Sequence, residues 1–294
     1  MPSVTVQIPA TTSNFGPGFD CLGCALKIYN RVTVSTARRA SSGATPHPMA
    51  EAAVTAFFQA IQREPFPFNW RMEGDVPVSR GLGSSVTLRL GLIVGLNELA
   101  GRPLARPEVF ALCAALEGHP DNAAPAAFGG FTVAGENDPG GEMLRFAVAA
   151  RLKFVLLVPG FEIRTADARR LLPTRIARLH AVASSARACR ITAAFASGRY
   201  EALDAAGGFD DDAFHQSHRL PLIPFWQDVI LAGKTAGALG GFLSGSGSTI
   251  ACLTLRKSEQ VAAAMRAAAE KSGTSIDAVL ITSADNRGAR IIAT

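Results

Sequence analysis

The segment Ser79-Arg80-Gly81-Leu82-Gly83-Ser84-Ser85 occupies residues 79–85 and stands directly before a pattern typical of a helix. Its two glycines allow the backbone to turn tightly and to approach a ligand closely. The serines fall where a helix start has free amide N–H groups, an arrangement that favours bound anions. The segment therefore predicts a phosphate-binding loop, although a serine-capped helix after a glycine turn is also common without a ligand. It is not a Walker A loop, because no lysine follows the glycines.

Hydrophobic periodicity around this loop predicts the elements of the first half of the chain. Alternation of apolar and polar residues indicates strands, and apolar spacing of about 3.6 residues indicates helices. A turn rich in Gly, Pro, Asn and Asp separates the first two strands. The predicted elements are strands over 3–8 and 29–36, helices over 49–61, 84–99 and 107–117, and a surface loop over 37–48.

A continuous apolar run at 152–158, closed by Pro159 and Gly160, predicts a buried strand that opens a second half. We therefore predict one domain over 1–148 and another over 149–294. The fold class is α+β with much antiparallel pairing, because strands often follow each other with only turns between them. The further predicted elements are helices over 165–197, 221–236 and 258–271, a Gly-rich segment over 237–248, and strands over 249–255 and 276–282.

Composition restricts the classes of function. The chain has 294 residues, 48% of them hydrophobic and 18% charged, as in ordinary globular proteins. Its 29 basic and 24 acidic residues give a net charge of +5, but they are scattered, which argues against a nucleic-acid partner. No apolar run of about 18 residues and no signal pattern occurs, so we expect a cytoplasmic protein without a membrane partner. Five cysteines argue against a secreted disulfide framework.

A second polar segment, Leu116-Glu117-Gly118-His119-Pro120-Asp121-Asn122-Ala123-Ala124-Pro125-Ala126, follows a predicted helix. It crowds four polar side chains into a proline-containing turn, which a purely structural connection rarely needs. A carboxylate here can hold Mg²⁺ together with waters and phosphates. The alternative is a turn whose Asp and Asn cap the local backbone.

A third segment, Leu243-Ser244-Gly245-Ser246-Gly247-Ser248-Thr249, is rich in glycine and precedes a strand. Glycines at this density indicate either a close approach of the backbone to another group or a flexible hinge.

These three segments and Pro9-Ala10-Thr11-Thr12-Ser13-Asn14-Phe15-Gly16-Pro17-Gly18-Phe19-Asp20 resemble, in order, the motifs of the GHMP kinase superfamily. Within it, the N-terminal segment and the Glu-Gly-His-Pro-Asp-Asn turn look like those of the homoserine kinases. The resemblance implies a ribosomal-protein-S5-like N-terminal domain, a ferredoxin-like C-terminal domain and an active site between them. It also implies ATP and Mg²⁺ as cofactors and L-homoserine as the small-molecule substrate. A homodimer is left open.

The resemblance assigns the nucleotide site to positions that match the motifs of the family. Ser85, with Ser84 as the alternative, and Glu117 would hold Mg²⁺, and both Ser85 and Glu117 would take part in catalysis. The third segment would support the phosphate loop. The implied ATP-binding residues are Gly81, Leu82, Gly83, Ser84, Ser85, Ser246 and Gly247.

The same resemblance assigns the homoserine pocket. Asp20 suits the substrate ammonium, and Arg169 and Arg219 suit its carboxylate, because an arginine can form two parallel bonds to a carboxylate. An arbitrary arginine usually has no such role, but here the surrounding motifs match. The implied substrate-binding residues are Asn14, Asp20, His119, Asn122, Thr165, Arg169 and Arg219.

Asn122 stands where related sugar and mevalonate kinases have an Asp, and an asparagine cannot accept a proton. Phosphoryl transfer has a loose transition state, so positioning and charge stabilisation supply most of the acceleration. We therefore predict that Asn122 orients the substrate hydroxyl as a catalytic residue.

Several positions depart from the family pattern. They are Arg80 before the loop, Val86 and Thr87 after it, Ser248 in place of a proline, and His47-Pro48-Met49-Ala50 in place of an Asn that contacts the nucleotide base. Three hypotheses follow: a homoserine kinase, a GHMP kinase with another substrate, or a member that binds ligand without catalysis. Asp20, Arg169 and Arg219 favour the first, because they suit a zwitterionic amino acid.

Overall fold

The fold is built on two antiparallel sheets. The computed structural model describes residues 2–37, 47–135, 143–204, 209 and 212–294. In chain order the strands are β1 (Ser3–Ser13), β2 (Leu22–Thr36), β3 (Phe68–Gly74), β4 (Phe131–Val133), β5 (Leu144–Phe146), β6 (Lys153–Pro159), β7 (Gly240–Leu243), β8 (Ile250–Thr254), β9 (Ile276–Thr282) and β10 (Arg290–Ala293). The first sheet has the order β10-β1-β2-β4-β5, with β3 also paired to β2, and the second has the order β7-β8-β6-β9.

Eight α-helices flank these sheets in the described part of the chain. They are α1 (Pro48–Ala60), α2 (Ser84–Leu99), α3 (Arg106–Glu117), α4 (Ala123–Phe128), α5 (Thr165–Arg170), α6 (Arg178–Ser197), α7 (Trp226–Thr235) and α8 (Ser258–Lys271), with 3₁₀ turns at Tyr200–Leu203 and Ser217–Leu222. None of the helices described is long and apolar enough to cross a bilayer.

Helix α2 lies directly on the first sheet because its glycines permit a close approach. A Cβ added at Gly91 would lie 2.5 Å from Cγ2 of Val32, and one at Gly95 would lie 2.6 Å from Cγ2 of Val34. Buried Val and Leu residues fill the rest of the interface. This contact fixes the position of the N-terminus of α2, and therefore of the loop before it.

An aromatic cluster joins the turn after β1 to both sheets. The ring of Phe15 stacks on Phe242 of β7 at 4.5 Å and meets Phe131 of β4 edge-on at 5.3 Å. Phe131 in turn stacks on Phe195 of α6 at 4.0 Å. Burial of each ring contributes about 1.5–3 kcal/mol to stability. The cluster therefore fixes the turn at 14–21 against both sheets.

The chain crosses back to the first sheet at its end, where β10 pairs antiparallel with β1. The first sheet therefore contains residues from the second half of the sequence. The division of the chain at residues 148 and 149 stays a prediction.

The predicted class, α+β with antiparallel strands, is confirmed, but two predicted helices are wrong in extent. The pattern over 165–197 is two helices, α5 and α6, because Pro173 lies between them and a proline disfavours helix at its own and the preceding position. The pattern over 221–236 is a 3₁₀ turn followed by α7, with Pro221 and Pro224 at the junction. Most of the loop predicted over 37–48 lies outside the described residues.

Candidate active site

A cavity of about 400 Å³ opens between the two sheets. Its lining comes from the turn at 13–20, the loop at 79–85, the turn at 116–122, the segment at 163–169 and the loop at 245–246. Segments that are far apart in sequence therefore meet at one place. The volume lies within the range typical of sites for small molecules and cofactors.

The loop at 79–85 has the conformation that its glycines predict. Gly81 and Gly83 have φ values of 72° and 70°, and α2 begins at Ser84. The first amide N–H groups of a helix have no acceptor within it. Gly83, Ser84 and Ser85 line the cavity, so this helix start is open to an anion. Leu82 is not among the described residues that line the cavity, because its side chain is buried in the core.

The third glycine-rich segment supports this loop from behind. The Ser244 hydroxyl donates to the Gly81 carbonyl at 2.7 Å, and the Thr249 amide donates to the Arg80 carbonyl at 3.2 Å. A Cβ at Gly81 would lie 2.2 Å from the Ser244 carbonyl oxygen, so only glycine allows this contact. Ser246 lines the cavity, whereas Gly247 lies against Ile223.

The residues that depart from the family pattern around the loop point away from the cavity. The guanidinium of Arg80 donates to the Pro159 carbonyl at 3.0 Å and pairs with Asp277 at 3.0 Å. Val86 is fully buried in the core, and the Thr87 hydroxyl is bonded to the Ser84 carbonyl at 2.7 Å. Their side chains therefore leave the cavity face of the loop unchanged.

Ser85 and Glu117 meet on the cavity wall. The Ser85 hydroxyl donates to Oε2 of Glu117 at 2.9 Å, and Oε1 of the same carboxylate pairs with Nη1 of Arg89. Neighbouring ligand oxygens around an octahedral Mg²⁺ are about 3 Å apart. The spacing of Oγ and Oε2 therefore fits one Mg²⁺ that takes one oxygen from each residue.

The turn at 119–122 holds a chain of hydrogen bonds. His119 Nδ1 donates to Oδ1 of Asp121 at 2.5 Å, and Asn122 Nδ2 donates to the same oxygen at 3.2 Å and to Ser13 Oγ at 2.9 Å. Thr11 Oγ1 donates to Oδ1 of Asn122 at 2.7 Å. The amide of Asn122 is therefore held in one orientation at the cavity wall.

Two pKa shifts follow from this chain. Burial lowers the pKa of His119, but the hydrogen bond and charge of Asp121 outweigh burial and raise that pKa above its ordinary value. Burial raises the pKa of Asp121, but the bonds and charge of His119 outweigh it and the net pKa is lowered. The contact therefore favours the ionised form of Asp121 and the protonated form of His119.

Asp20 and Arg169 contact each other across the cavity. Both terminal nitrogens of Arg169 donate to the carboxylate of Asp20, at 2.7 and 2.9 Å. Asp20 is fixed by Asn14, whose Oδ1 accepts from the Asp20 amide at 3.1 Å and whose Nδ2 donates to the Gly245 carbonyl at 2.9 Å. Asn14 therefore shapes the turn, and a substrate that uses Arg169 has to displace this ion pair. Thr165 lies beside Ser246, with the two hydroxyl oxygens 3.4 Å apart.

Arg219 is the buried cation of the cavity, with only 2% of its surface exposed. Its Nη1 donates to the Gly245 carbonyl at 2.7 Å and to Nδ1 of His215 at 3.0 Å. An arginine cannot accept, so His215 has its proton on Nε2, which donates to the Gly16 carbonyl at 2.9 Å. Burial, together with the charge of Arg219, lowers the pKa of His215 to about 4, so this imidazole stays neutral.

Phe19 lies between the two arginines. The guanidinium carbons of Arg169 and Arg219 lie 5.4 and 5.6 Å from the centre of its ring, within the range of cation–π attraction. Burial and the neighbouring charge of Arg169 lower the pKa of Arg219 to about 10, so it remains a cation at neutral pH. Two positive charges therefore stand close together beside Asp20.

Sequence reasoning missed Arg89, Asp121, His215 and Phe19 as site residues. One of them carried a readable signal, since Arg89 follows Ser85 by four positions in the predicted helix over 84–99, and such residues share a helix face. The contacts of Phe19 are with His215, Arg169 and Arg219 in the other half of the chain, which spacing does not reveal.

Comparison with known proteins agrees with this architecture. Residues 49–130 match the family model of the GHMP kinases N terminal domain, and residues 191–271 match that of GHMP kinases C terminal. Homoserine kinase from Microchaete diplosiphon is 38% identical over 300 residues, which covers 98% of this chain and 96% of the relative. Homoserine kinase from Clostridium beijerinckii is 36% identical and covers 98% of each chain.

A solved structure extends the agreement to the backbone. The crystal structure of homoserine kinase from Cytophaga hutchinsonii is 25% identical, has a TM-score of 0.87, and covers 99% of this chain and 98% of its own. The predicted two-domain GHMP kinase fold is thereby confirmed. Since these matches extend over both sheets and all the motif segments, the chain belongs to the GHMP kinases and, within them, to the homoserine kinase family.

Proposed function

We propose that the protein transfers the terminal phosphoryl group of ATP to the side-chain hydroxyl of L-homoserine, giving O-phospho-L-homoserine and ADP. One observation carries the proposal: a helix start suited to phosphate and a set of charged groups suited to a free amino acid line the same cavity. The names of the full-length relatives support this substrate.

The charged end of the cavity recognises a zwitterion. Asp20 offers a carboxylate for the substrate ammonium, and Arg219 offers a fixed, buried guanidinium for the substrate carboxylate. Arg169 pairs with Asp20 in this structure and adds its charge when the substrate separates them. A neutral alcohol would make no ion pair with this set, and an anionic alcohol would leave Asp20 without an ammonium partner.

The chain supplies position and charge rather than a strong base at the reacting hydroxyl. Asn122 orients the hydroxyl, since its amide is held by Thr11, Ser13 and Asp121. The amides at the start of α2 stabilise charge that develops on the phosphate oxygens. A general base would add about 10²–10⁴-fold, so its absence leaves most of the catalysis intact.

Ser85 and Glu117 would hold Mg²⁺ through Oγ and Oε2. The bound ion would neutralise phosphate charge in the transition state. Because the reaction uses ATP, we also propose a cytoplasmic location. Light scattering can determine whether the protein forms a homodimer, which the sequence leaves open.

A coupled assay for ADP release tests the proposal with homoserine, threonine, mevalonate or no acceptor. We expect ADP release that depends on homoserine and exceeds that with threonine. Release with mevalonate alone would instead support a GHMP kinase with another substrate. Absence of ADP release with every acceptor would support a family member that binds ligand without catalysis.

A further inference from the structure

Arg89 lies one turn beyond Ser85 on α2 and lines the cavity beside the phosphate loop. Its Nη1 pairs with Oε1 of Glu117, while Oε2 of the same carboxylate accepts from Ser85. The side chains of Arg89 and Glu117 are 16% and 8% exposed. The carboxylate expected to hold Mg²⁺ is therefore already neutralised by a largely buried cation.

We propose that Arg89 is a counter-ion of Glu117 and that the divalent cation has to share this carboxylate with it. Arg89 thereby sets how tightly the nucleotide site binds its metal. The inference rests on the proposed function, because it takes Ser85 and Glu117 as the residues that bind the metal. It makes Arg89 a positioning residue of the phosphate site, additional to the motif residues.

The surrounding charges single out Arg89 for this role. Arg80 is nearer to the loop in sequence, but its guanidinium is bonded to Pro159 and Asp277 outside the cavity. Arg169 and Arg219 lie at the opposite end, beside Asp20 and Phe19. Among the described residues that line the cavity, Arg89 is thus the guanidinium in contact with Glu117.

The packing of Arg89 also ties it to Glu117. Its Nε is buried without a hydrogen-bond partner in the described part of the chain. The Glu117 carboxylate is therefore the polar group that holds this guanidinium, and a buried cation without that partner would be costly. Arg89 and Glu117 form a unit that exists before any ligand arrives.

The electrostatic consequence has a definite sign. A guanidinium and a divalent cation that share one carboxylate repel each other, and the repulsion is strong where water is largely excluded. Removal of the guanidinium charge should therefore tighten metal binding. The same removal should weaken the binding of metal-free nucleotide, because a positive charge near the phosphates is lost.

The test measures the affinity of the protein for Mn²⁺, used in place of Mg²⁺, in the presence of ADP. Electron paramagnetic resonance gives the concentration of the free ion. We expect R89M to tighten Mn²⁺ binding by about five- to twentyfold. R89K should stay within about twofold of the wild type because it keeps the charge. R102M is the matched control, because Arg102 forms an exposed ion pair with Glu98 of α2 and should change nothing.

Glu117 provides an independent arm that does not require R89M to fold. E117Q removes the counter-charge of Arg89, so metal-free ADP, measured by calorimetry in EDTA, should bind about fivefold or more tightly. Thermal melting of each variant identifies any loss of folding.

Unchanged or weaker Mn²⁺ binding by folded R89M would overturn the inference, and so would unchanged ADP affinity of E117Q. Neither readout involves homoserine or turnover, so both can fail while the kinase activity stands. If the wild-type protein does not bind Mn²⁺ with ADP at all, the proposed function and this inference fall together.

Discussion

The two ends of the cavity differ in whether backbone or side chains line them. The phosphate end consists mainly of backbone, with Gly81 and Gly83 turning the chain into the start of α2. The amino-acid end consists of charged side chains, with Arg219, Asp20 and Arg169 held by hydrogen bonds and ion pairs. Backbone recognition tolerates changes such as Val86 and Thr87 nearby. Recognition by side chains does not tolerate changes to those side chains. We therefore expect the substitutions with the largest and most selective effects at the amino-acid end.

R219M should produce the largest effect. It removes the buried cation bonded to His215 and the Gly245 carbonyl, and truncation of one partner in such a pair costs about 2–5 kcal/mol. We expect kcat/KM for homoserine to fall by about 30-fold to several thousandfold, with the KM for ATP within about threefold. Steady-state kinetics with each substrate varied separately measures this.

The control for R219M is R170M, because Arg170 is an exposed residue of α5 that pairs with Asp167 on the same helix. If R219M weakened ATP and homoserine equally, the separation of the cavity into two ends would be wrong.

G81A should have the next largest effect, and the effect should be on the phosphate end of the cavity. The new Cβ would lie 2.2 Å from the Ser244 carbonyl oxygen, at a residue with φ of 72°. The loop has to shift, so we expect the KM for ATP to rise by about 10- to 100-fold with a smaller change for homoserine.

G198A is the matched control, because Gly198 has φ of 67° but no atom within 4 Å of its added Cβ. It carries the same backbone strain, about 1–2 kcal/mol, without the clash. Equal effects of the two variants on ATP binding would mean that support from the third segment is unimportant.

N122D should lower turnover by about tenfold rather than raise it. The new carboxylate would stand beside Oδ1 of Asp121, which now accepts from Asn122 at 3.2 Å, and two carboxylates repel. The bond from Asn122 to Ser13 would be lost as well. Single-turnover kinetics with Mg-ATP and homoserine measures the step. A rise by orders of magnitude would show that orientation of the hydroxyl is not the role of position 122.

The smallest effect concerns pH. The folded-state pKa of His119 is raised, so its stabilising pairing with Asp121 is fully present below the unfolded pKa and is lost as pH rises through the folded pKa. H119N should therefore destabilise the protein more at pH 6 than at pH 8.5, by about 2 °C or less in Tm. Thermal melting at both pH values checks this, and a larger deficit at pH 8.5 would contradict the ion pair.

The two ends also differ in how far the sequence predicts them. The loop at 79–85 and helix α2 follow from local rules, because a glycine turn before an apolar helical pattern depends on neighbouring residues only. The predicted serine cap is wrong, since the N-cap is Gly83 in the left-handed conformation and no side chain caps the helix. The pairing of Asp20 with Arg169 joins residues about half the chain apart, and the family resemblance indicated both residues but not their contact.

Elements with non-local causes were the least predictable. Strand β10 is only four residues long and exists because β1 offers it an edge. The break between α5 and α6 was readable at Pro173, but the apolar periodicity on both sides obscured it. Arg89 had the right spacing from Ser85, yet only the position of Glu117 at the end of α3 shows what it contacts.

The central claim is that phosphate from ATP reaches the hydroxyl of an amino acid held between Asp20 and Arg219. Phosphorus-31 nuclear magnetic resonance of the protein with Mg-ATP and homoserine tests it directly, since it resolves ADP, inorganic phosphate and a phosphate monoester. We predict that ADP and the monoester form in equal amounts and that the monoester is absent when homoserine is omitted. ADP accompanied by inorganic phosphate alone, at the same rate with and without homoserine, would contradict the account.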